Sequence, residues 1–112
     1  VSTFGIGGVV TFKSSNIYGS DIAYGIKIDV NSMYVIGSED VEFVGPQWRI
    51  EKRNLSDGAL DTTFGSSTGV VTSVLSPGMG EPYGITIDSS SMYVAGYEYN
   101  AVTQWRIEKR WK

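Results

Sequence analysis

The chain repeats itself, and that constrains its fold more than any other feature. At an offset of about 60 residues, the size of one blade or solenoid unit, Tyr24-Gly-Ile-Lys-Ile-Asp29 aligns with Tyr83-Gly-Ile-Thr-Ile-Asp88. Ser32-Met-Tyr-Val-Ile-Gly37 aligns with Ser91-Met-Tyr-Val-Ala-Gly96, and Gln47-Trp-Arg-Ile-Glu-Lys-Arg53 returns unchanged as Gln104-Trp-Arg-Ile-Glu-Lys-Arg110. Phe4-Gly5 followed by Gly8-Val-Val-Thr11 returns as Phe64-Gly65 followed by Gly69-Val-Val-Thr72. Units of this kind bury their apolar faces by stacking on neighbours.

Alternation and turn signals divide each unit into strands. Tyr24, Ile26 and Ile28 fall on one face and Lys27 and Asp29 on the other, which predicts a half-buried strand closed by a turn over Asp29 to Ser32. Met33 to Ile36 is apolar on both faces and belongs inside the sheet. Trp48, Ile50 and Lys52 alternate with Gln47, Arg49, Glu51 and Arg53, predicting one packed face and one solvated, charged face. Trp48 and Trp105 are thereby expected at equivalent packed positions between units. Asn54 to Gly58 reads as a polar turn, and Val70 to Leu75 as a further short strand. Glycine, Ser, Thr, Val and Tyr are abundant, as in short strands joined by tight turns. The fold class is all-β: two four-stranded antiparallel blade-like repeats in a single domain, 1–112. The first unit spans 24–75 and the second 83–110, which lacks a counterpart of the closing strand.

Composition removes most reaction chemistry. The 112 residues contain no Cys and no His, so disulfides, Cys/His zinc sites, Cys nucleophiles and His acid–base schemes are all unavailable. Nine basic and twelve acidic residues leave a net charge of −3, which gives no electrostatic footprint for nucleic acid or anionic membrane. The uncharged stretch 64–80, which Thr62 and Thr63 extend back to Asp61, is interrupted by Gly, Ser, Thr and Pro and does not resemble a membrane span. The chain opens on Val1, which fits a processed, secreted protein or a piece excised from a longer chain.

Two repeat families share these motifs. Glu81-Pro-Tyr-Gly-Ile-Thr-Ile-Asp-Ser-Ser-Ser-Met-Tyr-Val-Ala-Gly96 resembles the first two strands of an NHL-type propeller blade. Arg53-Asn-Leu-Ser-Asp-Gly-Ala-Leu-Asp-Thr-Thr-Phe-Gly65, with Gly69-Val-Val-Thr72, resembles the delta-60 repeat of bacterial surface and secreted proteins. The resemblance implies a four-stranded blade, an extracellular or cell-surface location, and a scaffold or binding role. Propellers typically hold about four to eight blades, and two units are too few to close a ring.

Candidate sites are few. Asp29 and Asp88 offer oxygens to a calcium ion, but an Asp ending a strand before a Ser-rich turn is better read as a turn cap. Glu39, Asp40 and Glu42 form the one acidic cluster, and adjacent loop acids read as solvated charge rather than a glycosidase pair. Tyr97 and Tyr99 are a candidate ligand loop for a sugar or a partner, with continuation of a strand as the alternative. Asn54-Leu-Ser56 matches a glycosylation sequon.

The expected function is therefore non-enzymatic. No cofactor, nucleic acid or membrane insertion is implied, and the expected partner is the chain itself. The N-terminal segment 1–13 matches the piece missing after the second unit. Its strand Val9, Val10, Thr11 and Phe12 is expected to add to a neighbouring subunit, with Trp105 and Ile107 as acceptor. Head-to-tail joining would complete the fold by oligomerisation and give a filament or a closed propeller-like ring. The alternative is a propeller-type module that binds a glycan or a surface protein through its inter-strand loops.

Overall fold

The computed structural model describes residues 3–75 and 77–112. The protein is all-β, with two antiparallel sheets, one of four strands and one of three. The first sheet runs in sequence order through β1 (Ile22–Ile28), β2 (Ser32–Val41), β3 (Gly45–Asn54) and β4 (Val70–Ser73). The second comprises β5 (Met79–Ile87), β6 (Ser91–Asn100) and β7 (Val102–Trp111). Both sheets thus begin a few residues before the expected positions 24 and 83. Val74 and Leu75 lie beyond β4, where the Leu75 amide donates to the Gln47 side chain at 2.6 Å.

Asp29 and Asp88 fix the first hairpin of each sheet, as turn caps. The Ser32 amide donates to Asp29 Oδ1 at 3.2 Å, and the Ser90 and Ser91 amides donate to Asp88 Oδ1 at 3.0 and 2.8 Å. The second carboxylate oxygens accept from the hydroxyls of Tyr34 and Tyr93. These carboxylates are engaged by the turn, and Asp29 Oδ2 also pairs with the Lys112 ammonium at 2.8 Å.

Each opening strand carries a bulge at the same point, between Ala23 and Gly25 in β1 and between Pro82 and Gly84 in β5. A bulge breaks the period of two. Tyr24 is consequently not on the face of Ile26 and Ile28, as plain alternation predicted, and its hydroxyl reaches Glu81 of the second sheet at 2.6 Å. Ile26 and Ile28 are exposed rather than half-buried.

Strand register gives each sheet two distinct faces. On the first sheet, Tyr34, Ile36, Trp48, Ile50 and Val71 share what we term the tryptophan face, while Val35, Arg49 and Glu51 share the arginine face. The second sheet repeats this, with Trp105, Ile107 and Ala95 on one side and Met92, Val94, Arg106, Glu108 and Arg110 on the other. The core forms where the tryptophan face of the first sheet meets the arginine face of the second: Tyr34, Ile36, Trp48, Ile50 and Phe64 pack with Met92 and Val94, flanked by Ile85 and Ile87. Trp48 Nε1 also donates across the joint to the Tyr97 carbonyl at 3.0 Å.

The charged face was expected to be solvated, and this is corrected by the burial of Glu51 and partial burial of its two arginines. A buried carboxylate is tolerable only when paired and hydrogen-bonded. Arg49 and Arg53 clamp Glu51 through their Nε atoms at 2.7 and 2.6 Å, and Arg106 and Arg110 clamp Glu108 in the same way, each at 2.8 Å.

Candidate functional site

Two surfaces remain open once the sheets have packed. The first is the tryptophan face of the second sheet. Trp105 pairs with Tyr97 as Trp48 pairs with Ser38, so the two indoles hold matching register positions. Their surroundings differ: Trp48 is 0% exposed and Trp105 89%, Ile50 0% and Ile107 70%. The expectation that both indoles are packed is thus wrong for Trp105. The cause is tertiary, because the second sheet covers the first and, among the described residues, no sheet covers the second. The exposed Trp111 extends the same apolar stripe.

The second surface is the arginine face of the first sheet, crossed by the N-terminal segment. Residues 9–12 are not in a regular strand here; Val9 makes an isolated bridge to Ile6. Val9 and Thr11 are exposed, Val10 is half-buried, and the Phe12 ring lies 3.7 Å beneath the Arg49 guanidinium. This cation–π stack holds the segment to the sheet. The Gly5 amide adds a hydrogen bond to the Asp57 carbonyl at 2.9 Å. Beneath the segment lies a groove of about 490 Å³, lined by Phe4, Val10 and Phe12 on one side and Ile26, Val35 and Arg49 on the other.

The acidic residues Glu39, Asp40 and Glu42 have separate surroundings. Glu39 accepts a hydrogen bond from Arg49 at 2.8 Å, the Asp40 amide is held by Asp21 at 3.0 Å, and Glu42 is exposed in the β2–β3 turn. Asp21 went unnoticed in the sequence because an isolated loop Asp carries no pattern. It ties the 13–21 loop to β2, accepting from the Ser14 amide at 2.8 Å as well. Burial works to raise its carboxyl, but these backbone hydrogen bonds outweigh burial and hold it below the usual range.

Tyr97 and Tyr99 lie within β6 rather than in a loop. They border an open concavity of about 560 Å³ with Met79, Tyr83 and Thr103. Glu81, another residue with no sequence signal, organises this corner. It accepts from Tyr24 at 2.6 Å and Tyr97 at 3.1 Å, while the Tyr83 ring sits 4.8 Å from Tyr24 and 5.9 Å from Tyr97. The hydrogen bond to Glu81 pushes the Tyr24 phenol up strongly, and burial beside Glu81 pushes Tyr97 up to about 12. Both phenols remain protonated donors whose hydrogens are committed to Glu81.

No family model matches the chain, and no curated protein or solved structure matches it either.

Proposed function

We propose that this protein is a non-enzymatic structural subunit, extracellular or at the cell surface, that assembles head to tail with further copies of itself into a filament or closed ring. The single observation that carries this reading is the contrast between the two tryptophan faces: the same residues are buried in the first unit and open in the second. Contiguous apolar patches beyond roughly 300–600 Å² usually mark interaction surfaces. Strand complementation fits the same picture. β7 carries no partner on its outer edge among the described residues, and Gly8 to Lys13 of the next copy would add along it. An exposed strand edge is a ready template for such pairing. The surface location is supported by the resemblance to delta-60 and NHL repeats. Light scattering tests the assembly directly: oligomers are expected at micromolar concentration, and a stable monomer at the 12.2 kDa chain mass would remove the basis for it.

A second reading is a glycan- or protein-binding module, favoured by the exposed Tyr83 and Tyr99 around the concavity beside Glu81. Flat amphipathic rings suit sugar stacking. A glycan array screened with the wild type and with Tyr83→Ala decides it; binding that is lost in the variant would establish this reading.

A further inference from the structure

The geometry points to the groove under residues 4–12 as the socket for Trp105 and Ile107 of a second copy, a proposal that rests on the head-to-tail reading and specifies its joint. The protein already contains this joint once, between its own sheets. Residues 64–69 match 4–8 at both ends with one residue inserted between: Gly5 and Gly65 have φ of 55° and 61°, Gly8 and Gly69 have φ of 83° and 79°, and the Gly8 and Gly69 amides donate to the Phe4 and Phe64 carbonyls at 2.9 and 2.8 Å. Each segment lies against an arginine face. Ser73 donates to Glu108 at 2.7 Å, and its counterpart Phe12 stacks on Arg49. In the internal joint the space beside the segment is filled by Trp48 and Ile50, with Arg106 at 5.6 Å over the Trp48 ring. In the groove the matching walls are present, and the Ile26 wall is exposed where its counterpart Ile85 is packed.

The plug matches as well as the socket. Trp105 and Ile107 are the repeat counterparts of Trp48 and Ile50 and lie on an open face. Glycine positions show the same vacancy: a Cβ on Gly25 would lie 3.4 Å from Ile85 Cγ2, whereas a Cβ on its counterpart Gly84 would meet nothing within 4 Å. Gly84 therefore stands where Ile26 of a second copy would approach. Two substitutions adjust the new joint relative to the internal one: Ala95 replaces Ile36 and Phe12 replaces Ser73, exchanging bulk between plug and socket.

The chain has no Cys, so a designed cross-link reads the joint cleanly. Ile26 and Gly84 lie on opposite outer faces of the two-sheet stack, so Ile26→Cys and Gly84→Cys in one chain should bond only between copies, where a Cα separation of about 4.4–6.8 Å permits it. A ladder of trimers and larger species after oxidation of the double variant, with neither single variant passing beyond dimers, is the expected result. Trp105→Ala should weaken association about 30-fold or more, the loss typical of a central aromatic anchor. Oligomers by light scattering without the cross-link would overturn the socket and leave self-assembly standing. Gly84→Cys dimers alone would mean that tryptophan faces pair with each other, which also overturns it. Monomers in every experiment would overturn the head-to-tail reading itself. Saturable binding of the apolar dye 1-anilinonaphthalene-8-sulfonate by such monomers, unaffected by Trp105→Ala, would assign the groove to a small ligand instead.

Discussion

Trp48 and Trp105 show that a side chain's energetic role depends on what faces it. Removing the buried indole by Trp48→Ala should cost about 3–5 kcal/mol, measured by denaturant unfolding at concentrations where the protein is monomeric. The same change at exposed Trp105 should stay within about 0.5 kcal/mol under those conditions, so equal losses would contradict the contrast in burial. Glu108 supplies a pH test. Burial alone would raise its carboxyl, but hydrogen bonds from Ser73, Arg106 and Arg110 outweigh burial and hold it below 4.5. A carboxyl depressed on folding stabilises the protein fully above its unfolded value, and that contribution is lost as pH falls through the folded value. Glu108→Gln should therefore destabilise by about 1.5–3 kcal/mol at pH 7, and the gap from wild type should narrow as thermal unfolding is followed below pH 4.5. Ala101 holds a φ of 69° in the β6–β7 turn, a left-handed conformation that costs a residue with a Cβ about 1–2 kcal/mol. Glycine adopts this conformation without a Cβ penalty. Ala101→Gly should therefore raise the unfolding midpoint, with a gain of up to about 1 kcal/mol.

At the level of elements, β3 and β7 carry the same Gln-Trp-Arg-Ile-Glu-Lys-Arg run under different loads. β3 is an interior strand, paired with β2 on one side and β4 on the other, while β7 pairs with β6 alone among the described residues. The N-terminal segment connects this asymmetry to assembly, since it keeps the terminal glycine conformations of 64–69 and rests on Arg49 through Phe12. Deleting residues 1–13 should unroof the groove and remove the strand offered to β7. The expected outcome is loss of oligomers together with lower solubility, followed by light scattering and sedimentation. A peptide of residues 1–13 added to the intact protein should pair with free β7 edges and slow growth. Unchanged assembly of the deletion variant would show that the segment contributes neither roof nor strand.

For the whole molecule, the consequence is a stack with unlike ends: an open tryptophan face at one and a grooved arginine face at the other. Unlike ends make a heterologous contact, which closes into a ring or extends into a filament according to the rotation per step. Electron microscopy of the assembled protein distinguishes the two. Back-to-back dimers would contradict both outcomes.

The sequence by itself determined the all-β class, the repeat, the placement of β2 inside its sheet and the capping roles of Asp29 and Asp88, because these follow from local periodicity and turn chemistry, but not the state of 9–12 or the extension of β6 through Tyr97 and Tyr99. It also showed which residues share a face, except at the bulges of Tyr24 and Tyr83, where an extra residue interrupts alternation without leaving a distinctive local pattern. Tertiary structure alone decided which faces are covered. Identical Trp-Arg-Ile-Glu-Lys-Arg strands are buried in one unit and open in the other, so no property of those residues could distinguish them. The same holds for the burial of Glu51, the stacking of Phe12 on Arg49 and the gathering of tyrosines around Glu81, each of which joins residues distant in sequence whose meeting depends on how the sheets and the N-terminal segment pack.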